Sequence, residues 1–116
     1  MSERIFQAEA ILQGVGDDEE LARELLQAYS EDAPLRLEAL RRAIADDDAE
    51  AASRTAHSLK GMSGVVRIRV LADMSLGMEL TARGGDMDGV RQRFPLLEAT
   101  LAQALGEIGA YLRQPA

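Results

Sequence analysis

The chain has 116 residues, 47% of them hydrophobic, with no cysteine, one histidine and a formal net charge of −7. That size fits one domain, residues 1–116, whose core needs no disulfide or metal staple. The acidic balance argues against a nucleic-acid partner, and no apolar run approaches the roughly 20 residues that span a bilayer. A signal peptide's apolar stretch is also missing from the first residues, so a cytoplasmic, membrane-free protein is expected.

Residues 4–13 read as a short helix covering one end of the fold. Acidic residues 17–20 then open a helix whose apolar face carries Leu21, Leu25, Ala28 and Tyr29. The pattern resumes after Pro34 with Leu37, Leu40 and Ile44, which predicts a short break near Ser30–Ala33. Asp46-Asp47-Asp48 caps the next helix, expected from Ala49 to Val66. A further helix runs from Val70 to Arg83, with Leu71, Met74 and Met78 as its seam, and Gly84-Gly85 ends it. The last helix spans Met87 to Leu112, with Val90, Phe94, Leu97, Leu101, Ala104, Ile108 and Leu112 recurring at steps of three and four. Pro95 predicts a kink or a late start there. Long amphipathic helices with short connections predict an all-α, antiparallel, up-down four-helix bundle with a short extra N-terminal helix.

One constellation stands apart. Twelve of the thirteen basic residues are arginine, and the only lysine, Lys60, follows the only histidine, His57, by three positions. On a helix that spacing puts both on one face. Ala52, Thr55, Ala56, Leu59, Met62 and Val66 form the apolar stripe, so Ser53, His57, Lys60, Gly61 and Gly64 fall on the opposite, exposed one. Each glycine costs the helix roughly 1 kcal/mol relative to alanine. Since the chain's own core lies on the other side, Gly61 and Gly64 clear space for another protein beside the imidazole.

Most chemistries of a lone histidine are excluded here. No second histidine completes a helical zinc site. Asp86-Met87-Asp88-Gly89 breaks calcium-loop spacing at Val90, and no glycine-rich loop marks an ATP site. Neither an orienting carboxylate nor an oxyanion hole is marked for a hydrolase. What remains is a nucleophilic histidine that takes up a group delivered by a partner. A neighbouring cation suits a phosphoryl group.

Ala56-His57-Ser58-Leu59-Lys60-Gly61 resembles the signature helix of histidine-containing phosphotransfer (HPt) domains. The likeness extends from Leu25-Leu26-Gln27-Ala28-Tyr29 to the long final helix. It implies a four-helix bundle that carries phosphoryl groups between aspartates of response-regulator receiver domains, within relays begun by sensor or hybrid histidine kinases. It makes His57 the phosphoacceptor and Lys60 the cation beside the phosphoryl group. Gly61 and Gly64 leave room for the receiver, and Ser53, Arg54 and Ser58 border the same contact. No cofactor is expected on this chain, Mg2+ belongs to the receiver, and the carrier is expected to be a monomer. The chain departs from the family pattern at Met62, where small residues are frequent, and at Arg67, where glycine is common. Two other readings share these residues: an acceptor fed by a chemotaxis-type kinase, and a bundle that binds receivers without carrying phosphate.

Overall fold

Three of the long helices open on an aspartate. Asp18 accepts a hydrogen bond from the Leu21 amide at 3.0 Å, Asp48 from Ala51 at 3.0 Å and Asp86 from Gly89 at 2.9 Å. Each occupies orphan N–H groups of a first turn and places negative charge at the positive end of the helix dipole. In the computed structural model, which describes residues 4–115, these caps begin α2 (Glu19–Ala45), α3 (Ala49–Val65) and α5 (Met87–Leu112). A short α1 (Ala8–Gly14) precedes them and α4 (Arg69–Arg83) lies between α3 and α5. No strand occurs among the described residues.

The last three connections share one device. Asp47, Arg67 and Gly85 take left-handed backbone conformations, with φ of 54°, 60° and 79°. The next amide then bonds back five residues, Asp48 to Ala43, Ile68 to Ser63 and Asp86 to Thr81. This closes the helix C-terminus and turns the chain sharply. Helix α3 packs most extensively on α4, and also on α2; α5 packs on both α4 and α2. The predicted seam of α5 is buried from Val90 through Ile108, with Leu112 half-buried, against Leu26, Leu40, Leu59, Leu71 and Met78 of the other helices.

Three expectations need correction. The break near Ser30–Ala33 does not occur: α2 runs unbroken through Pro34. A helix-interior proline costs about 3 kcal/mol. Pro34 is exposed, however, while Tyr29, Ala33 and Leu40 on either side of it are buried. Packing of that continuous face outweighs the local penalty. Pro95 likewise sits inside a helix that begins at Met87, so there is no late start. At the N-terminus, residues 4–7 are not helical. Glu107 Oε1 instead accepts hydrogen bonds from the amides of Ile5 at 2.9 Å and Phe6 at 2.8 Å, and Phe6 packs edge-on against Tyr111. The segment straps α5 before α1 starts.

Candidate functional site

The rotation of α3 is set by what it buries. Ala52, Ala56, Leu59 and Ser63 face the interior, and Ser63 Oγ meets the buried Tyr29 hydroxyl at 2.9 Å. The opposite side then faces water, and His57 lies there with 65% of its side chain exposed. Gly61 and Gly64 are exposed too, and a methyl group added at either meets nothing within 4 Å. Nothing inside this molecule therefore requires glycine at those positions. Ser53 is half-buried on the same stripe. Arg54 is exposed and held by Glu50 at 2.9 Å, and Ser58 turns its hydroxyl along the helix towards Met62.

Beside His57 stands a residue the sequence pattern did not single out. Glu79 of α4 has only 4% of its side chain exposed. Its Oε2 lies 3.1 Å from His57 Nδ1 and 2.6 Å from Arg83 Nη2, and its Oε1 lies 3.4 Å from Lys60 Nζ. One carboxylate thus gathers the histidine and two cations from two helices. Burial alone raises a carboxyl's pKa, but contacts with His57 and Lys60 outweigh it and hold Glu79 below its ordinary value. It is an anion at neutral pH.

The consequence for the imidazole is directional. A carboxylate only accepts, so in the neutral ring Nδ1 carries the proton and donates it to Glu79. Nε2 then keeps its lone pair and points away from that partner. The expectation that no carboxylate orients the ring is therefore corrected: Glu79 does. It was legible only weakly, as an acid in phase with Leu71, Ser75 and Ala82 on the buried side of α4. Arg83 follows it by four positions, the ordinary spacing of a helical ion pair.

The remaining motif residues have local roles. Asp86 caps α5, which accounts for the calcium-loop likeness. Arg67 holds the left-handed position of the α3–α4 turn, where a glycine would be unstrained. Met62 is half-buried and packs against the core without interrupting α3.

The family model of the Hpt domain matches residues 24–107, and the chain belongs to that family. Its structure is similar to the crystal structure of histidine-containing phosphotransfer protein B (HptB) from Pseudomonas aeruginosa PAO1. The TM-score is 0.88 at 24% identity, covering 99% of this chain and 100% of that one. No curated protein sequence matches. Helices α1 to α5 have the Hpt fold, and the chain is a histidine phosphocarrier of a phosphorelay, of the family whose partners are receiver domains and kinases. No helix among the described residues is long and apolar enough to cross a membrane.

Proposed function

We propose that His57 is the phosphoacceptor and that Nε2 is the atom that carries the group. The observation that carries this reading is the pairing of an exposed ring with a buried carboxylate on its other nitrogen. Nε2 attacks the phosphorus of a receiver's aspartyl phosphate. A P–N bond forms, the P–O bond to the aspartyl carboxylate breaks, and the aspartate leaves as an anion. The ring gains positive charge as it does so, and Glu79, already accepting from Nδ1, balances that charge without moving a proton. Lys60 supplies the cation beside the phosphoryl group, and Mg2+ comes with the receiver. Transfer to a second receiver reverses the same steps.

The docking surface is centred on Gly61 and Gly64 and bordered by Ser53, Arg54 and Ser58. On its α2 side a mostly apolar groove of about 140 Å³, lined by Leu25, Ala28, Tyr29, Met62, Val65 and Val66 with Asp32 at its edge, supports contact with a helix of the receiver. In this reading residues 1–116 form one unit in which α2 to α5 are an antiparallel up-down bundle with α1 across one end. The protein acts as a cytoplasmic monomer and touches neither nucleic acid nor membrane. Incubation with a panel of phosphorylated receivers and Mg2+ tests the reading. Acid-labile label is expected on wild type and not on a folded His57→Gln variant. Label on neither, from any receiver, would leave the kinase-fed acceptor or the silent binder instead.

A further inference from the structure

The chain's acidic balance hides a local exception at the turn between α3 and α4. A cleft of about 380 Å³ is lined there by Arg4, Ile5, Gln7, Ala10, Arg67, Arg69 and Val70. Three of the residues that line it are arginines, and no described carboxylate is part of its wall. Arg67 and Arg69 form no ion pair with any described residue, although the chain carries 20 acidic residues. Arg4 is the shared member, since its charge also reaches Glu107.

Arg67 is held there against its backbone preference. Its φ of 60° strains a residue with a side chain, and glycine would relieve that strain. On the other side Gly14 makes way for it: a methyl group at Gly14 would come within 3.0 Å of Arg67 Nε and Nη2. The guanidinium thus lies against the C-terminal end of α1, on a backbone position that is itself strained. No acidic side chain of the first turn of α4 competes for it.

We infer that this cleft binds a small phosphate-bearing ligand. A guanidinium fork matches phosphate oxygens bidentately, and a phosphate monoester carries the nearly double charge that several arginines suit better than a single carboxylate does. The volume lies in the range of small-molecule sites, roughly 300–1,000 Å³. Ile5, Ala10 and Val70 supply an apolar wall for an organic remainder. The site lies beyond the end of α3, separate from His57, and its ligand is bound rather than turned over.

The test is a titration of the full chain with inorganic phosphate and, separately, adenosine monophosphate at constant ionic strength, followed by amide NMR. Saturable shifts are expected at Arg67, Arg69, Val70 and Gly14. A larger response to the nucleotide would assign the organic remainder to the apolar wall, and an equal one would assign free phosphate. Arg67→Gly suits the left-handed position and should stay folded; it should weaken binding by about tenfold, and Arg69→Gln should do likewise. No shift with either probe, shifts matched by sodium chloride, or binding by both variants equal to that of wild type would overturn the inference. So would selective binding of an acidic peptide in place of both probes.

Discussion

Oε2 of Glu79 and Nδ1 of His57 face each other at 3.1 Å across the α3–α4 packing surface. The acid is buried and the histidine is not, so the contact orients the ring from below and leaves its far nitrogen in water. Glu79→Gln preserves shape but removes the charge that balances the developing imidazolium. Its transfer rate should fall by about 10- to 100-fold, the worth of one hydrogen bond to a charged group. Stopped transfer assays on a variant with unchanged circular dichroism measure this. A wild-type rate would show that Glu79 only packs.

Lys60 contacts the other oxygen of the same carboxylate, so its loss leaves Glu79 with Arg83 and His57 as partners. Lys60→Ala should therefore fold normally and still accept label, at a rate lower by about tenfold. Equal rates for wild type and variant would remove Lys60 from the transfer step.

Gly61 and Gly64 sit in the last two turns of α3 with open space where a side chain would be. Alanine at either position should stabilise the free protein by up to about 1 kcal/mol. If the space belongs to the receiver, Gly64→Gln should weaken receiver affinity while leaving the free fold intact. Thermal melts and receiver binding, compared on the same samples, separate the two effects. Undiminished affinity in Gly64→Gln would place the docking surface elsewhere.

The sequence carried the parts of this fold that repeat locally. Steps of three and four placed Val90 through Ile108 in the core, and acidic punctuation marked the helix starts at residues 17–20 and 46–48, whereas the Asp86 cap was read only as a broken calcium loop. His57, Lys60 and the exposed glycines were legible because one helix presents them all. Glu79 was not, because its role depends on which turn of α4 crosses α3, and no periodicity within α4 reports that crossing. Pro34 misled for a related reason. Its cost is local, whereas the burial that offsets it comes from packing of the turns on either side. The strap formed by Ile5 and Phe6 depends on Glu107, about a hundred residues away in the chain.

The Tyr29–Ser63 hydrogen bond joins α2 to α3 inside the core at 2.9 Å. Tyr29→Phe keeps the ring and strands the Ser63 hydroxyl, so unfolding free energy should drop by about 1–2 kcal/mol. Adding Ser63→Ala should cost less than the two single changes summed, since the stranded group is then gone. Chemical denaturation of the four proteins checks the cycle. Strict additivity would mean that the bond contributes nothing.

Acid should weaken the fold through two carboxylates. Burial opposes ionisation of Glu107, but the Phe6 amide, Gln103, the Ile5 amide and the Arg4 charge together lower its pKa, as His57 and Lys60 do for Glu79. A depressed folded pKa contributes stability above the ordinary carboxyl value of 4.5 and loses it as pH falls through the folded value. Stability should therefore decline below about pH 4.5, and Glu107→Gln should show a shallower decline. Equal slopes for both proteins would remove the N-terminal strap from the acid response.

The most direct measurement is the position of phosphorus on the protein after transfer from a phosphorylated receiver. With 15N-labelled histidine, coupling between 31P and the ring nitrogens identifies the bonded atom. Since His57 is the only histidine, one phosphohistidine with its phosphorus on Nε2 is expected, and none in His57→Gln. Phosphorus on Nδ1, the nitrogen held by Glu79, or label that survives in His57→Gln would contradict the assignment.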